Sequence, residues 1–173
     1  MKITEAYQNR EDFIAEVATY HPCQGEFETL KNAQNKAEFE AVLLKNLAWC
    51  VTNRVLEPWL PDKLPKCKHL DCHGTGIKGL PALPECEFLE IGKTQISSLP
   101  ALPRCKGINC SHTQISKLPA LPECKFIYCS HTLIKKLPAL PECKVLDCKN
   151  TLIKKLPALP KCKVLECDDH LKR

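Results

Sequence analysis

The chain has 173 residues, of which 13 are cysteine, 14 are proline and only 6% are aromatic, and its formal net charge is +5. That length holds one ordinary domain with a small appendage, and so few rings require an aliphatic core. No run of about 18 apolar residues is present to span a membrane, so no membrane partner is expected.

The first ten residues, with Lys2, Glu5 and Arg10, contain no apolar segment to serve as a secretory signal. Cysteines in such number without a signal imply a reducing, cytoplasmic setting in which thiols stay free. The odd count leaves at least one cysteine unable to pair within the chain. Charge divides the chain in two. Residues 1–59 hold 6 Lys/Arg and 9 Asp/Glu (6 − 9 = −3), and residues 60–173 hold 19 and 11 (19 − 11 = +8), together the stated +5.

Residues 1–59 read as helical. Tyr7, Phe13, Ile14 and Val17 fall at near-helical spacing over residues 4–19, with Thr4 as a cap and His21-Pro22 as the stop. Phe27 and Leu30 begin a weaker pattern, and Asn35 opens the strongest. Over residues 36–55, Phe39, Val42, Leu43, Leu47, Cys50, Val51 and Val55 form one apolar stripe, flanked by Trp49 and Trp59. The expected role is an N-terminal cap over the apolar end of the region that begins at residue 60, with a separate docking domain as the alternative.

Residues 60–173 repeat one pattern six times: C-x-x-L-x-C-x-x-T-x-I-x-x-L-P-A-L-P-x, starting at Cys67, Cys86, Cys105, Cys124, Cys143 and Cys162, with 86 − 67 = 19 residues between successive starts. A fixed period of this length marks a solenoid, in which each unit buries its apolar face against its neighbours. Position 4 is Leu70, Leu89, Ile108, Ile127, Leu146 and Leu165. Position 6 is cysteine except for Ile91. Position 9 is threonine in five units and position 11 isoleucine in the same five, before His170 and Lys172 break the pattern.

The apolar spacing 1, 4, 6, 9, 11 resembles L-x-x-L-x-L-x-x-N-x-L, the leucine-rich repeat, with cysteine for two leucines and threonine for asparagine. Its L-P-x-L-P element is similar to the short repeats of bacterial secreted effectors, and its Cys/Thr variant to repeat proteins of large DNA viruses. The resemblance implies an interaction protein acting inside a host cell, in its cytoplasm or in a virion if viral, without naming a partner. It implies an α+β repeat solenoid of about six short parallel strands with an N-terminal helical cap. Two prolines per unit remove two backbone donors, so the return segments are expected to be extended or polyproline-like rather than helical.

The threonine column is expected to replace the asparagine by satisfying backbone groups at the turn after each strand, with a β-branched filler as the alternative. The cysteines of one unit lie up to ~16 Å apart in extended chain, too far for one ion or one disulfide. Down a column they approach to ~4.8 Å, which would permit disulfides, but Ile91 at a cysteine position favours packing. His69 and His73 lie ~13 Å apart on one strand face, too far to share an ion. No metal, cofactor or catalytic residue is expected, because a nucleophilic thiol needs exposure beside an activating group.

Alternation puts positions 3 and 5 on the exposed sheet face. There Phe88, Phe126, Val145 and Val164 in position 3 and Glu90, Asn109, Tyr128 and Asp147 in position 5 form an apolar stripe edged by acidic groups. These eight residues are the expected binding surface for a protein partner. The alternative is nucleic-acid binding or a virion structural role through the lysines of position 2 and those after the isoleucine column, such as Lys135, Lys136, Lys154 and Lys155. The sixth unit stops at residues 168–173 with no covering helix, so a monomer with a charged tail or a dimer through the open last strand is expected, the monomer favoured.

Overall fold

A computed structural model describes residues 3–18, 24–46 and 67–171. Four helices come first: α1 (Ile3–Gln8), α2 (Arg10–Ala18), α3 (Gln24–Asn32) and α4 (Lys36–Lys45). Six strands come after them: β1 (His69–Asp71), β2 (Phe88–Glu90), β3 (Gly107–Asn109), β4 (Phe126–Tyr128), β5 (Val145–Asp147) and β6 (Val164–Glu166). They form one parallel sheet in sequence order, each residue paired with the residue 19 positions on, as His69 with Phe88 and Phe88 with Gly107. The sequence period is therefore the structural period.

The helices differ from expectation in their limits. The single helix over residues 4–19 is broken at Asn9, a poor helix-interior residue, into α1 and α2. The helix expected over residues 36–55 ends at Lys45, where the Asn46 side-chain amide donates to the Val42 carbonyl at 2.9 Å. Its start agrees with expectation. Asn35 accepts from the Glu38 N–H at 3.0 Å, and Glu38 accepts from the Gln34 N–H at 2.7 Å, a reciprocal cap. Leu47, Trp49, Cys50, Val51, Val55 and Trp59 lie outside the described residues. Phe39 is fully buried edge-on between Tyr7 (5.6 Å) and Phe13 (5.9 Å), and α4 packs on β1, so helical and repeat cores are continuous.

Each repeat is closed by two turns, which keep the strand to three residues. The first is Leu-Pro-x-Cys, where the cysteine N–H donates to the leucine carbonyl three residues back, as in Cys86 to Leu83 at 3.2 Å; proline favours the second place of such a turn. The second comes after the strand and places position 8 in the left-handed region: Gly74 (φ 67), Lys93 (57), His112 (57), His131 (55) and Asn150 (53). Glycine reaches that region without strain and asparagine at small cost, whereas lysine and histidine are strained there. Between the turns, the chain returns without helix and without a strand of more than one residue. Its Leu83, Leu102, Leu121 and Leu140 are buried.

The threonine column does the work expected of it. The hydroxyls of Thr75, Thr94, Thr113, Thr132 and Thr151 donate to the position 6 carbonyl of their own unit at 2.6–2.9 Å. Each satisfies a carbonyl at a turn that the sheet leaves behind. Position 1 cysteines behave similarly. The Cys105 thiol donates to the Gly107 carbonyl at 3.2 Å, and the same bond recurs in every unit. Hydrogen bonds also tie turn to turn outside the strands. The position 6 N–H reaches the next unit (Cys110 to Tyr128, 2.8 Å), and the position 10 N–H reaches back to the preceding one (Leu133 to Ile115, 2.9 Å).

The far end departs from the sequence expectation. The short 3-10 turn Asp169–Leu171 tucks Leu171 inward, and the His170 ring contacts the Ile153 carbonyl at 3.1 Å. Leu165 of the core column is nonetheless exposed, as is all of β6.

Two substitutions test this account. Thr113→Val keeps the shape but strands the Cys110 carbonyl, and a loss of about 1–3 kcal/mol is expected in urea unfolding. Lys93→Gly relieves a left-handed residue, and a gain of up to ~1 kcal/mol is expected in the same measurement.

Candidate protein-binding face

Strand alternation turns position 4 inward and positions 3 and 5 outward, as predicted: the central strands show an exposed–buried–exposed pattern at Phe88–Glu90 and at Phe126–Tyr128. Of the eight candidate residues, Phe88, Phe126, Tyr128 and Val164 keep 37–47% of their surface in solvent. Glu90 is also exposed, while Asn109, Val145 and Asp147 are half-buried. All eight stand on one side of one sheet, about 4.8 Å from strand to strand.

Gly107 gives this face its relief. A β-carbon there would lie 3.0 Å from the Phe88 ring and 3.9 Å from the Phe126 Cβ. The Phe88 ring leans into the gap and buries the glycine, while its other side meets the His69 ring at a centroid distance of 5.0 Å. His69 and Phe88 thus pack together on one side of Gly107 and Phe126 stands on the other, with Tyr128 beside it, an aromatic row stepped at β3.

Position 5 has a second job that sequence reasoning missed. The Asp71 carboxylate accepts from the His73 N–H (2.9 Å), the Asn109 amide oxygen from Ser111 (3.1 Å) and the Asp147 carboxylate from Lys149 (3.2 Å). Asp and Asn are the side chains short enough to close this turn on the backbone two residues on, which is the signal that could have revealed it. Glu90 is too long for it. Desolvation holds its carboxyl above the ordinary carboxylate range, although the residue as a whole is exposed, and a hydrogen bond from Asn109 pulls the other way. The acidic edge is therefore partly structural at Asn109 and Asp147 and free of the backbone turn at Glu90.

Most of the described thiols are shifted away from the thiolate form. Burial pushes Cys67 up to about 11 and Cys86, Cys110, Cys143 and Cys148 up to about 12. Cys124 is raised first by its hydrogen bond with Cys105 and then by burial. A nucleophilic cysteine needs the opposite shift. His73, in the turn after β1, lies over Gly92 and His69 of β1 against Phe88, so the two histidines are engaged separately. Among the described residues no group of three or more His, Cys, Asp or Glu is placed to hold a metal ion.

Two features outside the face were also missed. The rings of His112 and His131 stack at 4.2 Å and 11°, and Leu133 and Leu152 are half-exposed side by side. Both arise from positions 8 and 10 pointing outward between buried positions 9 and 11, a parity the sequence already contains.

No protein-family model and no curated protein matches the chain. Solved structures do. YopM from Yersinia enterocolitica WA-314 superposes with a TM-score of 0.54 and 24% identity over 66% of this chain and 31% of that one. YopM from Yersinia pestis, described as a leucine-rich effector protein, does so at 0.50 and 20% identity over 98% of this chain and 60% of that one. The chain has the leucine-rich-repeat fold. It spans less than two thirds of the length of either neighbour.

The burial of the thiols has a pH consequence. Their values are raised in the folded state, so their contribution is intact below about pH 9 and is lost as pH rises toward about 12. Unfolding free energies from urea titrations, measured from neutral pH upward, should fall beyond about pH 9, by roughly 1 kcal/mol per thiol per pH unit. A flat profile to about pH 10 would show the thiols to be accessible to water.

Proposed function

We propose that the chain is a non-catalytic protein-binding module that holds its partner on the exposed face of the sheet. The observation that carries this is the solvent-facing row of Phe88 and Phe126 with Tyr128 beside it. The fold does not need these rings, since position 3 is filled equally well by Gly107 or Val145 and position 5 by Asn109 or Asp147. Aromatic side chains on a rigid surface lose little entropy on binding and are the usual anchors of an interface. Glu90 and the free oxygens of Asp147 and Asp71 then favour a partner with some positive charge around its apolar contact.

The eight candidate residues divide accordingly. Phe88, Phe126, Tyr128, Val145 and Val164 supply contact area, Glu90 supplies charge, and Asn109 and Asp147 hold the turn while offering their remaining polar atoms. Residues 1–59 serve as the cap of the first repeat, a role supported by α4 lying on β1. That a structural neighbour is described as an effector supports a setting in which the partner is a protein of a host cell. The buried, raised thiols favour binding over catalysis.

Affinity capture from a cell lysate, with wild type beside a Phe126→Lys/Tyr128→Lys variant, tests this reading. A protein held by the wild type should bind the variant at least ~100-fold more weakly, since interface anchors of this kind contribute about 2 kcal/mol or more each. Equal capture by both would remove the face from consideration.

A further inference from the structure

The lysines of the repeat region lie on two sides of it, and the acidic residues lie almost all on one. On the side of the strands and the turns next to them, three are paired with carboxylates: Lys106 with Glu87 at 2.6 Å, Lys161 with Glu142 at 2.6 Å, and Lys149 with Glu166. On the opposite flank, after the isoleucine column, Lys135, Lys136, Lys154 and Lys155 are exposed and make no ion pair among the described residues. No Asp or Glu occurs in the segments 133–136 and 152–155 that carry them. Leu133 and Leu152 lie in the same two segments, 50% and 49% exposed, the most exposed large apolar side chains among the described residues.

The backbone fixes this arrangement. Leu133 and Leu152 donate to the Ile115 and Ile134 carbonyls of the preceding turns, each at 2.9 Å, so the two segments run side by side like strands. Ile134 and Ile153 point inward; Leu133 with Lys135 and Leu152 with Lys154 therefore emerge together on the outside. The result is a rigid flank with an apolar pair at its edge and four uncompensated positive charges behind it.

We infer that this flank docks on an anionic lipid surface, Leu133 and Leu152 entering the headgroup–acyl boundary and the four lysines facing the lipid phosphates. No span is needed for such attachment, and leucine beside lysine is the composition of surface-lying amphipathic segments. A nucleic acid is matched less well. Two exposed leucines have no counterpart on a sugar–phosphate backbone, and no aromatic ring or arginine stands among these lysines for base stacking. The sheet face lies elsewhere on the solenoid and stays open for its own partner.

Sedimentation of the protein with phosphatidylcholine vesicles, with and without phosphatidylserine, tests the inference. Retention is expected only with phosphatidylserine and should weaken as salt is raised. Lys135→Gln/Lys154→Gln should reduce it by roughly 25-fold, each basic residue near an anionic leaflet contributing about five-fold. Leu133→Ser/Leu152→Ser should reduce retention as well, while Phe126→Lys/Tyr128→Lys should leave it intact. Absence of retention on phosphatidylserine at low salt would overturn the inference. So would retention unaffected by the leucine substitutions together with equal lysine-dependent binding to duplex DNA, which would mark a general polyanion surface.

Discussion

Residue i and residue i + 19 occupy the same place in successive turns, so every inward side chain must pack against copies of itself about 4.8 Å away. That constraint selects the composition. Large rings cannot stack inward at this spacing without leaving gaps, whereas isoleucine, leucine, cysteine and threonine can. The buried threonines and the position 1 thiols are satisfied by carbonyls of their own units, so no repeat depends on its neighbour for them. Buried Ser130, by contrast, donates to Ser111 of the preceding unit at 3.2 Å. Cysteine here is a small apolar residue that brings a weak donor to a carbonyl leucine could not reach.

The same constraint governs charge. Identical columns would set like charges about 4.8 Å apart, which is unfavourable unless each is compensated or well solvated. The chain answers in two ways. In position 2, one glutamate among lysines, Glu87, pairs with Lys106 of the next turn, and in position 19 Glu142 pairs with Lys161. Lys125, Lys144 and Lys163 of position 2 and the lysines after the isoleucine column have no ion pair among the described residues and rely on solvation. Stacked columns thus turn a composition with only a modest net charge into a molecule with distinct sides.

The repeat region was legible in the sequence because its signals are the columns themselves. Inward positions 4, 6, 9 and 11, the threonine bond, the extended return and the exposed aromatic face are all consequences of period and parity. What was not legible depends on conformation rather than on pattern. Position 8 holds Gly74, Lys93, His112, His131 and Asn150, five residues with no shared chemistry, because what they share is a left-handed backbone. The turn-closing role of Asp71, Asn109 and Asp147 was hidden behind their more obvious reading as surface charge. The helical segment was legible in kind but not in extent. An apolar stripe shows which face is buried, whereas the ends at Asn9 and Asn46 are set by local hydrogen bonding.

The columns are free to vary only on the outside. Inward, a substitution must suit its copies above and below, and the first five units barely differ there. Outward, position 3 runs from histidine through phenylalanine and glycine to valine, and position 5 from aspartate through asparagine to tyrosine. The step at Gly107 shows what this freedom does. Removing one side chain lets the Phe88 ring lie down into the gap, so a surface that would have been a flat row becomes a stepped one with a defined shape. Shape made by side chains on a hydrogen-bonded sheet is available without prior folding or loop closure, which limits the entropy a partner's docking must overcome. A scaffold of this kind confers specificity through which outward residues occupy a fixed lattice, and the aromatic residues of β2 and β4 are where this lattice departs furthest from what stability alone requires.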